Sequence, residues 1–128
     1  MRIRNISTVR FLDAGYKKLF LTLLLFLGAL FVSAQEKKNK NVKYEFEVRG
    51  NCEQCQKRIQ KAAFTIVGVK SAVWDMESHT MTVIINEEKC ILLDVKKAIA
   101  KIGHDNDEVK ASDEVYENLN NCCKYVRD

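Results

Sequence analysis

The sequence predicts an α+β fold with the element order β-α-β-β-α-β. This is the ferredoxin-like arrangement, a four-stranded antiparallel sheet with two helices on one face. Three observations predict it. An alternating apolar strand precedes the first pair of cysteines, two segments with a helical apolar stripe each end at a glycine, and two strand-like segments flank a short polar turn.

The first half of the domain is predicted to be a strand followed by a helix. The strand covers residues 43–49, because apolar and charged side chains alternate there. Gly50-Asn51 ends the strand, and a helix begins at Cys52 and stops at Gly68. The apolar face of this helix consists of Ile59, Ala62, Ala63 and Ile66.

The second half is predicted to be a hairpin, a second helix and a last strand. Residues 69–74 and 81–85 are rich in strand formers, and the residues between them supply the turn. The second helix stops at Gly103, and a short last strand includes Val109. The core stripe of that helix consists of Leu92, Val95, Ile99 and Ile102. We expect the compact domain to cover residues 42–110, followed by a C-terminal tail at 111–128.

Residues 1–34 have the layout of a secretory signal peptide. Lys17 and Lys18 precede an apolar run, and the segment ends in Val32-Ser33-Ala34, which suits a signal peptidase. We predict cleavage after Ala34, export to the periplasm, and no stable membrane span afterwards. An uncleaved membrane anchor is the alternative interpretation.

The charges of the chain are unevenly distributed. The formal net charge is +4, but residues 1–34 carry five basic side chains and one acidic side chain, so residues 35–128 are formally neutral. Nucleic-acid binding needs a concentrated basic surface, and this composition argues against it. Residues 35–41 are polar and charged, which is typical of a flexible leader.

The chemistry of the sequence is concentrated in Cys52-Glu53-Gln54-Cys55, where the first strand passes into the first helix. This spacing allows both sulfurs to converge on one ion. The N–H groups and partial positive charge at a helix N-terminus favour the thiolate, which is the form that binds metal. Soft sulfur ligands select ions such as Cu(I), Hg(II) or Zn(II), and two sulfurs leave the four-ligand shell of structural zinc incomplete.

The segment from Gly50 to Cys55, in this order of elements, resembles the heavy-metal-associated domain of copper chaperones, copper-pump N-termini and periplasmic mercury-binding proteins. The resemblance covers roughly residues 43–110. It implies that Cys52 and Cys55 bind Cu(I) or a related ion and pass it to a partner domain of the same fold. The usual pattern is Gly-Met-x-Cys-x-x-Cys, whereas Gly50-Asn51 leaves this segment one residue short and without the methionine.

Three further residues are candidate metal ligands. The resemblance implies that the loop carrying His104 approaches the metal, where imidazole is either a third ligand, a donor to a thiolate, or a surface residue without a role. Cys122 and Cys123 either fold back onto the first pair, form a second soft-metal site, or lie in an exposed tail that oxidises. Cys90 is interpreted as a small buried hydrophobic residue.

We therefore predict a periplasmic metallochaperone or scavenger that is not an enzyme. Its metal is Cu(I), with Hg(II) and Zn(II) as other candidates. Its partner is a metal-transporting ATPase or another metal-binding domain of similar fold, and it is a monomer or a metal-bridged dimer. The alternatives are a mercury scavenger of the same fold and a thiol–disulfide redox protein, since C-x-x-C is also a redox motif.

Overall fold

The computed structural model describes residues 6–29 and 36–128, and the chain divides into two units, 1–37 and 38–128. The first unit contains helix α1, Ile6–Ala29. Within the described ranges, no helix has the length and apolar character needed to cross a membrane. The predicted cleavage site after Ala34 lies outside the described residues, so the signal peptide stays a prediction.

The second unit is an α+β fold built on an antiparallel sheet, as predicted. Its helices and strands are β1 (Val42–Glu47), α2 (Glu53–Phe64), β2 (Val69–Trp74), β3 (Thr80–Ile85), α3 (Leu92–Lys101), α4 (Asp113–Glu117) and a 3₁₀ turn at Asn121–Cys123. The strand order is β1-β3-β2, so β3 lies in the centre and pairs with both neighbours.

The prediction of a fourth strand is wrong. In the part of the chain that the structure describes, the sheet has three strands. A single antiparallel bridge between Val48 and Asn106 stands where that strand was expected. The side-chain oxygen of Asn106 then accepts the backbone N–H groups of Glu108 and Val109, at 3.2 and 2.9 Å. Because this turn reverses the chain after one bridge, Val109 does not join the sheet.

The core lies between the sheet and the helices α2 and α3. Met81 in the central strand is fully buried and lies opposite Phe46 on one side and Trp74 on the other. The helices contribute the apolar stripes that the sequence predicts, through fully buried side chains such as Ile59 and Ile99. Burial of these stripes fixes the orientation of α2 and hence of the cysteines at its start.

Trp74 connects the core to the loop that precedes α2. Its ring is fully buried, and its Nε1 donates a hydrogen bond to the carbonyl of Val48 at 3.1 Å. A Cβ atom on Gly50 would lie 3.1 Å from both this ring and the Cβ of Cys55. A larger residue at position 50 would therefore crowd the indole and the first turn of α2.

Candidate metal centre

Cys52 and Cys55 come together at the N-terminus of α2. Cys52 is the extended residue immediately before the helix, with φ −147° and ψ 169°, and Cys55 lies in the first helical turn. Their Sγ atoms are 3.3 Å apart. The backbone N–H of Asn51 also points at Cys55 Sγ, at 3.5 Å. Cys55 is fully buried, while Cys52 is partly exposed, so solvent reaches the pair from the Cys52 side.

The surroundings of Cys52 make it easy to ionise. Burial by itself raises its pKa, but the backbone N–H of Cys55 and the neighbouring thiols donate hydrogen bonds to its sulfur and bring the pKa down to about 7. A thiol normally titrates near pH 8.5, so a large share of Cys52 is thiolate at neutral pH. The pair therefore presents a metal-binding anion at the edge of the domain.

Cys123 brings a third sulfur to the same place. It lies in the 3₁₀ turn of the tail, is fully buried, and has its Sγ 3.8 Å from that of Cys52. The sulfurs of Cys52, Cys55 and Cys123 all lie within 4.8 Å of one another. Burial, together with hydrogen bonds to the other two thiols, holds the pKa of Cys123 well above its usual range.

Cys122 is adjacent in sequence but differs in environment. Its side chain is exposed, and its Sγ donates to the Oε1 of Gln54 at 3.1 Å. It is 3.9 Å from the sulfur of Cys123, and its hydrogen bond to Cys52 raises its pKa. Cys122 does not belong to the group of three mutually close sulfurs.

His104 is not part of this group either. It is fully buried, and its Nδ1 donates to the carbonyl of Arg49 at 2.8 Å, while its Nε2 has no hydrogen-bond partner. Burial lowers the pKa of His104, and the nearby Arg58 guanidinium lowers this pKa further. The hydrogen bond to the backbone carbonyl of Arg49 raises the pKa but does not outweigh burial. The ring is therefore a neutral imidazole stacked on Tyr125, at 5.9 Å between centroids.

Cys90 lies apart from the sulfur cluster, in the segment before α3. It is buried, its Sγ donates to the carbonyl of Asn86 at 3.8 Å, and burial raises its pKa. These features agree with its interpretation as a small buried side chain.

The tail that carries Cys123 is attached to the domain through Asp105, which the sequence analysis did not single out. Arg127 donates from Nε and Nη2 to the two oxygens of the Asp105 carboxylate, at 2.8 and 2.9 Å. The hydroxyl of Tyr125 accepts the backbone N–H of Asp105 at 2.8 Å and donates to the carbonyl of Gly103 at 2.9 Å. We name Asp105, Tyr125 and Arg127 the tail anchor.

The tail anchor is expected to weaken in acid. Burial raises the pKa of Asp105, but its hydrogen bonds to Arg127 and to the backbone N–H of Ala111 outweigh this and lower the pKa below its usual value. A carboxyl with a depressed pKa in the folded state stabilises the fold above its unfolded pKa of about 3.9, and this stability is lost as the pH falls through the folded pKa. We expect the free energy of unfolding, from urea titrations, to drop as the pH falls below about 4.

Asp105→Asn is expected to cost about 2–4 kcal/mol at pH 7, because it leaves Arg127 without its buried counter-ion. Asp113→Asn is the matched control, since Asp113 contacts the same guanidinium at 2.8 Å with a side chain that is 97% exposed. That variant is expected to change the free energy by less than about 1 kcal/mol. Equal effects of the two substitutions would contradict this assignment of the anchor.

Comparison with known proteins identifies the family to which this domain belongs. The fold is shared with oxidised MerP from Ralstonia metallidurans CH34, with a TM-score of 0.50 and 22% identity over 52% of this chain and 94% of that chain. Residues 45–105 match the sequence model of the heavy-metal-associated domain family. The chain therefore carries a heavy-metal-associated domain, which confirms the resemblance drawn from Gly50 to Cys55.

Two other solved structures are similar to about half of this chain. A CopZ metallochaperone is 27% identical over 51% of this chain and 98% of that chain, with a TM-score of 0.49. The N-terminal domain of a potential copper-translocating P-type ATPase from Bacillus subtilis, in its Cu(I)-loaded state, is 28% identical over 56% and 98%, with a TM-score of 0.49. No curated protein matches the chain by sequence. The family and the cysteine cluster together support heavy-metal binding.

Proposed function

We propose that the protein binds Cu(I) through Cys52 and Cys55 and delivers it to, or withholds it from, partners in the periplasm. The observation that carries the proposal is the pair of sulfurs 3.3 Å apart at the start of α2, within a heavy-metal-associated domain. Each thiol that becomes a ligand releases its proton to solvent. The low pKa of Cys52 reduces the cost of that release at neutral pH.

The donor set favours a soft ion of low coordination number. Thiolates select Cu(I) and similar metals over hard cations such as Mg²⁺ and Ca²⁺. The cluster in the described residues has three mutually close sulfurs, whereas a structural zinc site uses four ligands in a tetrahedron. Hg(II) is as soft and would accept the same sulfurs, so a mercury scavenger remains the second candidate.

Transfer to a partner is supported by the uneven exposure of the cysteine pair. Cys52 is partly exposed, so an incoming thiolate can reach an ion from that side while Cys55, buried in the first turn of α2, still holds it. The partner we propose is a metal-transporting ATPase or another metal-binding domain of the same fold. Localisation in the periplasm is proposed from the signal-like segment of residues 1–34, and the mature protein is expected to begin at Gln35.

The experiment that tests this function is a Cu(I) titration of reduced protein against a chelator of known affinity, with parallel titrations of Hg(II), Zn(II) and Mg²⁺. We expect one equivalent of Cu(I) per monomer, weaker binding of Zn(II), and none of Mg²⁺. Reduced protein with its thiols blocked by alkylation is the control. Absence of tight Cu(I) binding, combined with turnover in a metal-free disulfide reductase assay, would instead support the thiol–disulfide alternative.

A further inference from the structure

We propose that Cys123 supplies a third thiolate to the metal, so that the C-terminal tail is part of the binding site. This inference rests on the proposed function and specifies its coordination. In the three-sulfur form, Cys52 and Cys55 hold the ion from the domain while Cys123 closes the site from the tail.

The distances between the sulfurs fit three-fold coordination better than two-fold. With metal–sulfur bonds of about 2.3 Å, two sulfurs on opposite sides of an ion are about 4.6 Å apart, whereas three in a trigonal plane are about 4.0 Å apart. The observed separations are 3.3 Å for Cys52–Cys55 and 3.8 Å for Cys52–Cys123, and the third is within 4.8 Å. Small side-chain adjustments would therefore bring all three sulfurs to a trigonal site.

Cys123 is held in place by contacts on both sides of it in the sequence. On its N-terminal side, Leu119 is buried against Gly103, where an added Cβ would lie 2.8 Å from the leucine side chain. On its C-terminal side, the carbonyl of Lys124 accepts a hydrogen bond from Asn51 Nδ2 at 2.9 Å, and the tail anchor follows. The tail is thus tied directly to the loop that precedes Cys52.

This attachment matters because it reduces the cost of recruiting a third ligand. A flexible tail would lose conformational freedom on binding the ion, and that loss would subtract from the affinity. Here Cys123 is fully buried beside the pair and the tail around it is packed on the domain, so less freedom is left to lose. The third sulfur should therefore strengthen binding, and a partner thiol must displace it before the ion can leave.

The test compares Cys122→Ser with the double variant Cys122→Ser/Cys123→Ser, so that the neighbouring thiol cannot replace Cys123. Each is reduced with a phosphine, which adds no thiol, loaded with one equivalent of Cu(I), and shown to be monomeric by light scattering. X-ray absorption at the copper edge then counts the sulfurs. We expect three sulfurs in wild type and in Cys122→Ser, and two in the double variant, with Cu(I) affinity at least about tenfold weaker.

Urea unfolding of both apo-proteins separates a lost ligand from a damaged fold. If the double variant keeps the stability of Cys122→Ser and loses one sulfur, Cys123 is a ligand. Two sulfurs in wild type, or an equal count and affinity in both variants, would overturn the third ligand while leaving the cysteine pair intact. Failure of wild type to bind Cu(I) at all would instead refute the proposed function.

Discussion

Replacing both Cys52 and Cys55 with serine is expected to weaken Cu(I) binding by at least about a thousandfold. Structural zinc sites in small peptides bind their metal with roughly 10–16 kcal/mol shared over four ligands, so the loss of two ligands is expected to remove several kcal/mol of binding free energy. A serine hydroxyl is a hard, protonated oxygen at neutral pH and cannot replace a thiolate on a soft ion. The measurement is a competition titration with a Cu(I) chelator. The free energy of unfolding of each metal-free protein is measured as well, so that only variants with the stability of wild type are compared.

Cys90→Ala is the matched control for this result. Like the double variant, it removes a buried thiol. This thiol lies in the segment before α3 and not in the sulfur cluster. Its Cu(I) affinity should equal that of wild type. If the double serine variant binds Cu(I) as tightly as Cys90→Ala does, the metal is held elsewhere and the assignment of the cysteine pair is wrong.

Trp74→Ala is expected to destabilise the apo-domain by about 3–5 kcal/mol, the usual cost of removing a fully buried large aromatic side chain. The substitution removes the ring that packs against Gly50 and lies opposite Met81. It also leaves the carbonyl of Val48 without the indole N–H. Because this is the sole tryptophan, unfolding should be followed by circular dichroism rather than by fluorescence.

The effect of Trp74 should extend to the metal site, because the same ring supports the loop that leads to Cys52. Trp74→Phe keeps an aromatic ring in the core but loses the hydrogen bond to Val48 and the outer ring atoms that approach Gly50, so a smaller cost of about 1–3 kcal/mol is expected. We expect weaker Cu(I) binding in Trp74→Ala than in Trp74→Phe. Equal stability of the two variants would show that the ring does not support the core in this way.

Much of the fold follows from local sequence patterns, because those patterns reflect burial. The alternation around Phe46 and the stripes containing Ile59 and Ile99 face the core, so their periodicity reveals β1, α2 and α3 directly. The fourth strand was predicted wrongly because Asn106 uses its side chain to form a turn. A side-chain hydrogen bond of this kind leaves no periodic signal in the sequence.

The candidate site is only partly visible in the sequence. The positions of Cys52 and Cys55 follow from three-residue spacing at the start of a helix, which is a local property. The position of Cys123 depends instead on how Tyr125 and Arg127 attach the tail to Asp105, which lies 20 and 22 residues before them in the sequence. The Tyr125-x-Arg127 spacing gives no hint of this partner, and so the sequence left the role of the tail cysteines open.

The most direct test of the whole account is an anomalous difference map, measured at the copper edge, from crystals of the reduced protein loaded with Cu(I). We expect one strong peak per chain, about 2.3 Å from the sulfurs of Cys52 and Cys55. A peak bound by other side chains, with this pair left as free thiols, would contradict the account.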